Sequence, residues 1–547
     1  MLVSKLPKIA VRSAVILLAV LAAFEPFHFG AAVAPSWSSP ILVDSHRGLD
    51  ILPSALQASN GTMWLAWESD RNDLSNARFD IVYKTYTNGV WSNDYNLTTS
   101  GKNASPSLVQ LVNGTILVFW VMKPARSYEV FYKRLIGNAW STPVQVTTTT
   151  LNDTLNAAAV NNRDGSLWLV WTRVDSSCAC AASKQLYYKT LKNGVWSSDV
   201  QLTNDNNQNY GASVLISKDG IVRVVWSKGA AGSNYQLFHE AYNSTSGSWS
   251  TSYQVVSSSS TDEHPSLIQD RNGTLWLFWS RLIVVSLLIQ YYVLFGKYSY
   301  DLGKTWSGEI QLTNTSNTVD SQMPSAVQST YGVRPLWIFY SSNLNVPDND
   351  IYALMSSGIG PVHDVIVSGV SAANNLGTSW EYPGGLKSVG QSAIMTITVA
   401  IADIGDYVEN AIVTLSATNT TITTIGTRTS LVGPGNTMNF YFYWNTTNVL
   451  PARYGLSISI PALPGETLGN MGDNSYGLTN QVRILPLGDV DQDGSVTLTD
   501  VSVFFYDFGF TSSCNCSRWN PYADVHGYGI IDIVDVGVAA KNYGTLT

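Results

Sequence analysis

Short apolar runs alternate with polar turns along most of the chain, and residues 272–307 contain the clearest example. An Asn-Gly dipeptide at 272–273 precedes an apolar run with tryptophan at every third position, Trp276 and Trp279. A second apolar run follows and ends in a polar turn that is closed by Trp306. Asn-Gly tolerates the positive φ of tight hairpins. The pattern therefore predicts antiparallel strands that are joined by short turns.

Weaker copies of this unit recur about every fifty residues through residue 355, which is the spacing of a repeat architecture. The six inner strands end at Trp67, Trp120, Trp171, Trp226, Trp279 and Tyr340. The six Trp-Ser pairs begin at Trp37, Trp91, Trp140, Trp196, Trp249 and Trp306. The second set is displaced, because its first member precedes every inner strand. A closed ring needs this displacement, since residues 37–43 can then complete the sixth sheet. The matched counts predict a six-bladed β-propeller, although the period alone leaves seven blades open.

The best-preserved turn has the pattern Ser299-x-Asp301-x-Gly303-x-Thr305-Trp306, which resembles the Asp-box of sialidase-like (BNR-repeat) propellers. The resemblance covers residues 36–358 and implies the propeller fold. Asp-boxes lie away from the catalytic face in that family. We therefore expect Asp301 to accept backbone N–H bonds within its own turn.

Sialidases hold their substrate with three arginines and use a tyrosine nucleophile with a glutamate base, plus an aspartate acid/base. Where that family has its leading arginine motif, residues 50–53 have no arginine. The remaining candidates are Arg47, Arg71, Arg126, Arg173, Arg281, Arg334, Glu68, Glu129, Glu240 and Tyr128. The sequence selects no catalytic set among them. For Arg71 we expect a structural role that bridges blade edges.

A second domain is predicted over residues 361–485, where seven short strands alternate with turn signals. The strand order predicts an immunoglobulin-like β-sandwich and resembles adhesion modules of the CARDB type. No ionisable cluster there suggests chemistry. We interpret this domain as a spacer, with sugar or partner binding as the alternative.

The tail, residues 486–547, has the donor spacing of a calcium loop. The oxygen donors of this loop are Asp489, Asp491, Asp493, Ser495 through its carbonyl, and Asp500. A second copy follows at an offset of 35 residues and keeps Asp524, Asp532 and Asp535. His526 and Tyr528 stand where oxygen ligands are expected, and both are poor ligands for a hard cation. We predict one strong Ca²⁺ site and a weak or empty second one.

This duplicated loop and helix resembles a type I dockerin, and the resemblance implies a cohesin-type partner. The family's partner-reading positions correspond to Leu498, Thr499, Ile533 and Val534. The fold class predicted for the whole chain is therefore mainly β: a six-bladed propeller, a β-sandwich and a small α-helical tail.

Composition and charge limit the cellular compartments and the classes of partner that are compatible with the sequence. The chain has 31 basic and 39 acidic residues, and it offers no basic face for nucleic acid. Residues 1–34 resemble an export signal, with a basic start and an apolar run at 14–24. An uncleaved anchor is the alternative, and either one predicts an extracellular or cell-surface protein. A second apolar stretch, 282–295, is too short to span a membrane and predicts two buried strands.

The four cysteines form two C-x-C pairs, Cys178 with Cys180 and Cys514 with Cys516. The pairs lie far apart, so we expect oxidised loop staples rather than a zinc site. Three functions remain open. The first is an exported binding protein whose propeller recognises glycan or protein. The second is a sialidase-like glycoside hydrolase, and the third is a structural surface-layer component.

Overall fold

A computed structural model describes residues 35–546 except for several short segments. These segments are 75–77, 161–164, 175–182, 244–246, 287, 314–318, 331–334, 345–347, 358–361, 375–380, 383–385, 392, 467–469, 492, 514–519, 521–522 and 526–528. The chain is mainly β, and helices occur only near its end within the described ranges. None of the described helices is both long and apolar enough to cross a bilayer. Both cysteine pairs lie outside the described residues.

The described part of residues 36–357 forms six antiparallel sheets of four or five strands each, numbered here in chain order. Sheet 1 consists of Asp50–Gln57, Met63–Ser69, Asp80–Thr87, Val90–Trp91 and Tyr95–Asn96. Sheet 2 consists of Asn103–Gln110, Ile116–Met122, Glu129–Ile136, Ala139–Trp140 and Val144–Gln145. Sheet 3 consists of Asn152–Val160, Leu167–Val174, Lys184–Lys192, Val195–Trp196 and Val200–Gln201. Sheet 4 consists of Gln208–Ile216, Val222–Gly229, Gln236–Asn243, Ser248–Trp249 and Tyr253–Val256. Sheet 5 consists of Asp262–Gln269, Leu275–Ser286, Ile289–Ser299 and Ile310–Gln311. Sheet 6 consists of Ser321–Gln328, Leu336–Ser342, Asp350–Met355 and Ile41–Asp44.

The outermost strand of sheet 6 comes from the other end of this region. Ile41–Asp44 pairs antiparallel with Asp350–Met355, and Trp37 forms a bridge with Ser356. The Trp37 ring also packs edge-on against Trp276 and Phe278 of sheet 5. The N-terminal segment thus completes the last sheet, as the displaced Trp-Ser count predicts.

The first strand of each sheet lies beside the first strands of its two neighbours, so that the six strands surround one axis. Hydrogen bonds to serine hydroxyls join neighbouring first strands. The N–H of Leu108 in sheet 2 donates to Ser54 Oγ in sheet 1 at 2.9 Å. Equivalent bonds join sheet 4 to sheet 5 and sheet 5 to sheet 6. The N–H of Ala55 donates to Ser325 Oγ at 3.0 Å and joins sheet 6 to sheet 1. The sheets therefore form a closed, propeller-like arrangement.

The apolar core of this region lies between adjacent sheets. Each interior cluster draws residues from two neighbours, as Trp67 of sheet 1 does with Phe339 of sheet 6. The aromatic residues that end the inner strands are all buried, at most 1% exposed. Tryptophans of the Trp-Ser pairs cover these clusters edge-on, as Trp140 does against Trp64. Aromatic burial between sheets is thus the main stabilising contribution predicted for this fold.

The Asp-box turn behaves as the sequence predicts. Asp301 Oδ1 accepts the backbone N–H of Thr305 at 2.8 Å, and Oδ2 accepts the Thr305 hydroxyl at 2.7 Å. Gly303 adopts a φ of +89° and donates its N–H to Ser299 Oγ at 2.8 Å. The prediction that Asp301 stabilises its own turn is confirmed.

The apolar stretch 282–295 forms the tip of the hairpin Leu275–Ser286 and Ile289–Ser299. Its two strands are present as predicted, but the expectation that they are buried is wrong at the tip. Leu288 is 95% exposed and Val284 is 59% exposed there. This hairpin is longer than its counterparts, so its tip extends beyond the inter-sheet core.

The second domain is a two-layer β-sandwich with its core between the layers. One layer contains Val365–Asn374, Ile394–Asp403 and Thr437–Asn445. The other layer contains Glu381–Tyr382, Leu386–Gly390, Ser475–Leu485, Ala452–Ser459, Glu409–Thr418 and Ile422–Val432. The described residues thus contain nine strands rather than the seven predicted, because two short strands lack an alternating pattern. A 3₁₀ helix, Met471–Asp473, precedes the last strand.

The tail contains two helices, Leu498–Asp507 and Ile533–Asn542, within its described residues. Each begins with a capping box in which the N-cap side chain and an aspartate three residues later satisfy each other's backbone N–H groups. Phe504 and Val536 belong to a small apolar core shared by the two halves. The 35-residue duplication therefore folds as two similar loop-and-helix halves that pack together.

Candidate functional site

The first strands of the six sheets line a central cavity with a volume of about 210 Å³. Each of these strands contains a β-bulge at a residue with positive φ. The bulge residues are Leu52, Ser105, Leu155, Gly211, His264 and Met323. Small ligands usually occupy pockets of about 300–1,000 Å³. The cavity is smaller than that, and its lining is mostly Pro, Ser and Ala.

A Pro-Ser dipeptide follows the bulge in four sheets, as Pro53 and Ser54 show in sheet 1. This repeat is present in the sequence, but it lies outside the tryptophan pattern from which the strands were predicted. The proline removes a donor where the bulge interrupts the ladder, and the serine joins the next sheet. Aligning the chain on this dipeptide shows which residues lie at the rim of the cavity.

Two adjacent rim positions carry Tyr210 and Glu263, each one residue before the bulge of its strand. The Tyr210 hydroxyl donates to Glu263 Oε1, and the Tyr292 hydroxyl donates to Glu263 Oε2 at 2.9 Å. The Tyr235 ring packs edge-on against Tyr210 at 4.9 Å, and Lys184 Nζ lies 4.5 Å from the Tyr210 ring centre. We call Tyr210, Tyr235, Glu263 and Tyr292 the rim cluster. The sequence interpretation missed it.

Burial, reinforced by the charge of Glu263, raises the pKa of Tyr210 and of Tyr292. Both phenols are therefore protonated near neutral pH and act as hydrogen-bond donors. Burial also lowers the pKa of His264, which lines the cavity beside the cluster and is neutral at pH 7. The rim cluster thus combines aromatic surface with one carboxylate, a combination suited to sugar hydroxyls.

No hydrogen bond or ion pair joins a described arginine candidate to this cluster. Arg71 contacts Asp50, Asp44 and Asp94, with its closest contact at 2.6 Å. Arg173 bridges Asp153 and Asp199, while Arg281 bridges Asp262 and Glu309. Arg47 and Arg126 are exposed, and Arg334 lies outside the described residues.

Each of these three paired guanidinium groups binds an aspartate on the first strand of its sheet and a carboxylate near the outer edge of the same sheet. Arg71 also reaches Asp44 of sheet 6, so its predicted role in bridging blade edges is confirmed. None of the three lines the central cavity. Their charges are compensated inside the sheets, so they do not form a cationic clamp for a substrate carboxylate.

Two of the glutamate candidates, Glu129 and Glu68, hold parts of the fold together. Glu129 is buried and accepts bonds from Ser127, Thr147 and Thr149 rather than from the Tyr128 hydroxyl. Glu240 is half-buried, and burial raises its pKa to about 7. Glu68 is buried and accepts the N–H of Ser105 at 2.8 Å, which is the bulge of the next sheet.

Replacing Glu68 by glutamine is expected to stabilise the protein in a pH-dependent way. Burial raises the pKa of Glu68 to about 7, above the value of an unfolded glutamate. The folded state then binds more protons between about pH 4.5 and 7, so wild-type stability falls as pH rises through this range. Glu68→Gln should raise the free energy of unfolding by about 3 kcal/mol at pH 8 and by under about 1 kcal/mol at pH 5.

Denaturant unfolding of both proteins at the two pH values measures this difference. Glutamine keeps an acceptor for Ser105, so the control is built into the substitution. An equal effect at pH 5 and pH 8 would contradict the assignment of a buried, ionising Glu68.

In the tail, the first loop brings Asp489, Asp491 and Asp500 together, with one oxygen of each within 4.8 Å of the others. Burial and the neighbouring carboxylates raise the pKa of Asp489 to about 7. Asp489 Oδ1 is buried and has no hydrogen-bond partner. Asp493 is exposed and accepts bonds from the Ser495 N–H and hydroxyl. This hard oxygen set fits Ca²⁺, which would offset the repulsion among the carboxylates.

The second loop has a different arrangement in its described residues. Asp524 accepts the N–H of Gly529 at 2.7 Å, while Asp532 and Asp535 form the capping box of the following helix. These three aspartates do not meet as a cation-binding group there. His526 and Tyr528 lie outside the described residues. A single strong Ca²⁺ site therefore stays a prediction.

The predicted partner-reading residues lie at the starts of the two helices. Leu498 is 71% exposed and Ile533 is 68% exposed, and Thr499 and Val534 are exposed beside them. All four side chains are therefore accessible to solvent.

No protein-family model and no curated protein matches this chain. Solved structures resemble a little over half of it. A Dyadobacter fermentans protein of unknown function is 14% identical, with 59% of this chain and 99% of that chain covered and a TM-score of 0.48. The Hadza microbial sialidase Hz136 is 15% identical, with 56% and 66% covered and a TM-score of 0.43. The Penicillium chrysogenum α-L-arabinanase is 12% identical, with 59% and 99% covered and a TM-score of 0.43. Shared chemistry does not follow from likenesses at this level.

Proposed function

We propose that this chain is an exported binding protein whose propeller recognises glycan or glycoprotein and whose tail binds calcium and a cohesin-type partner. The observation that carries the choice of binding over sialidase chemistry is the pairing of Arg71, Arg173 and Arg281. Each guanidinium lies between carboxylates and makes no hydrogen bond or ion pair with the rim cluster. A sialidase would need three arginines directed at one substrate carboxylate.

The proposal includes the finer architecture. The six sheets are the blades of one propeller over residues 36–358, followed by a CARDB-like sandwich at 361–485 and a dockerin-like tail at 486–547. Residues 1–34 have the composition of an export signal, so the protein acts outside the cell or at its surface. The serine bond that joins the last sheet to the first supports the closed ring.

The rim cluster is the proposed glycan-binding surface. Glu263→Gln and Tyr235→Ala are each expected to weaken glycan binding at least tenfold, because one removes a charged acceptor and the other a stacking ring. The matched control is Tyr300→Ala, since Tyr300 is exposed at the opposite end of its sheet, beside the Asp-box turn. A glycan array with the full chain, followed by calorimetry with the best ligand, measures this. Equal binding by Glu263→Gln and wild type would contradict the assignment.

A glycoside hydrolase is the second candidate, and the Tyr210–Glu263 pair is the observation that favours it. Fluorogenic sialoside and arabinoside substrates test it directly with the full chain. We expect no turnover, because both phenols remain protonated and no arginine of the described residues bonds to them. Turnover that Tyr210→Phe abolishes would establish the hydrolase instead, since that substitution removes only the hydroxyl.

The tail is expected to bind an immobilised type I cohesin in calcium and to release it in chelator. The double variant Leu498→Asp with Ile533→Asp should weaken this binding at least tenfold, because it places charge on the exposed apolar surface of both halves. Ile422→Asp is the control, since Ile422 is 73% exposed but lies on the sandwich. Binding that persists in chelator, or that the double variant leaves unchanged, would contradict the proposal.

A further inference from the structure

A group of buried carboxylates lies where the sandwich meets the propeller-like region, far from the tail loops. Asp364 and Asp473 are 0% exposed and Glu466 is 6% exposed. One carboxylate oxygen of each lies within 4.8 Å of the others. Asp364 begins the sandwich, whereas Glu466 and Asp473 belong to the loop before its last strand. The fold thus brings together acidic residues that are about a hundred positions apart in the sequence.

Several oxygens of this group have no hydrogen-bond partner although they are buried. They are Asp364 Oδ1, Glu466 Oε1 and the neighbouring Asn474 Oδ1, whose side chain is 3% exposed. The remaining polar atoms of Glu466 and Asn474 form hydrogen bonds that fix these two side chains in place. Glu466 Oε2 accepts the Leu463 N–H at 2.8 Å and the Asn474 amide at 2.6 Å. Buried polar atoms that are positioned but unpartnered are costly, and they point to a ligand in the interior.

The local charge balance also points to a cation. Lys218 of sheet 4 donates to Asp364 Oδ2 and to Asn470 Oδ1 at 2.9 Å. The neighbouring Arg271 is bound by the carbonyls of Ile404 and Gly405 and by Asp406 at 3.1 Å. Among the described residues, the Lys218 ammonium acts on both Asp364 and Glu466, and Asp403 and Glu409 add negative charge nearby. Burial accordingly raises the pKa of Asp364 and of Glu466.

We propose that Asp364, Glu466 and Asp473 bind a divalent cation, with Ca²⁺ as the best match, at the junction between the propeller-like region and the sandwich. Two oxygens about 2.4 Å from one Ca²⁺ lie at most about 4.8 Å apart, and the three carboxylate oxygens of this group lie within that distance of one another. The donors are all oxygens without histidine or cysteine, which disfavours zinc. Asn474 Oδ1 is a further neutral donor of the kind that Ca²⁺ accepts.

The cation would have a structural role, because it would connect two segments that are distant in the sequence. It joins the first strand of the sandwich to the loop before its last strand, while Lys218 ties the same Asp364 to sheet 4. Gly472 of that loop also lies against Asp219, leaving no room for a side chain there. Calcium would therefore fix the orientation of the sandwich and, through it, of the tail. This inference is independent of the calcium loop in the tail and of the proposed glycan binding.

The test uses the full chain with both tail loops disabled by Asp489→Ala and Asp524→Ala, which remove the first ligand of each loop, and calcium chloride as the probe. Equilibrium dialysis against submillimolar free Ca²⁺ is expected to find one bound ion per chain. Adding Glu466→Gln should weaken that binding at least tenfold, because it removes one ligand charge and keeps an acceptor for Leu463 and Asn474.

Absence of bound calcium in the tail-disabled chain would overturn the proposal, and this measurement leaves the junction itself unaltered. Calcium binding that Glu466→Gln does not change would overturn it as well. If Glu466→Gln fails to fold, the ion count of the tail-disabled chain decides by itself.

Discussion

Replacing Asp262 by alanine is expected to lower the free energy of unfolding of the propeller-like region by roughly 3–5 kcal/mol. Asp262 is 0% exposed and accepts bonds from Trp279 Nε1 at 2.7 Å, Arg281 Nε at 2.6 Å and the Ser258 hydroxyl at 2.6 Å. The substitution leaves the Arg281 charge buried with a single partner, Glu309. Breaking one side of a buried ion pair is costly because the remaining charge keeps its desolvation penalty.

Two matched variants separate burial from charge. Glu309→Ala removes the other partner of Arg281, but its side chain is 30% exposed, so we expect a loss below about 1 kcal/mol. Asp262→Asn should fall between the two. Sheets 2 and 4 already carry asparagine at this position, where Asn103 and Asn209 accept the tryptophan N–H at 2.9 and 2.8 Å. Denaturant unfolding followed by tryptophan fluorescence measures all three, and equal losses for Asp262→Ala and Glu309→Ala would contradict the argument.

A chain that begins at residue 47 is expected to lose at least about 10 °C in the melting temperature of the propeller-like region, compared with a chain that begins at residue 35. The truncation removes the strand Ile41–Asp44 and exposes the edge of sheet 6. It also removes Asp44, which pairs with Arg71 at 2.7 Å and with Lys84 at 2.8 Å. Two cations in the inter-sheet region would lose a shared partner, and the aromatic cover from Trp37 would be lost too.

Calorimetric melting of the two chains measures the effect, and a synthetic peptide of residues 35–46 provides the control. If strand closure is the cause, the added peptide should restore part of the lost stability by pairing with Asp350–Met355. Similar melting temperatures for the two chains would show that the ring does not depend on its N-terminal strand.

The residues that sequence analysis assigned successfully are those with local causes. The Asp301 turn, for example, depends on contacts four residues apart. Tryptophan spacing predicted the inner strands, because a buried strand needs large apolar residues at a regular period. The rim cluster was not predicted, because Tyr210 and Glu263 are 53 positions apart in the sequence and neither belongs to a motif.

The sequence by itself determined the class of the fold, the repeat, the closing role of the N-terminal strand and the donor spacing of the tail loop at 489–500. These properties follow from strand periodicity and turn chemistry, which act over a few residues. Only the tertiary structure decided which charges compensate one another. Arg71, Arg173 and Arg281 are equally good substrate ligands by sequence, but the pairing of strands within each sheet places each beside carboxylates instead. The packing of sheet 4 against sheet 5 brings Tyr210 to Glu263, and the fold of the sandwich brings Asp364 to Glu466, because burial selects partners by position in space rather than by distance along the chain.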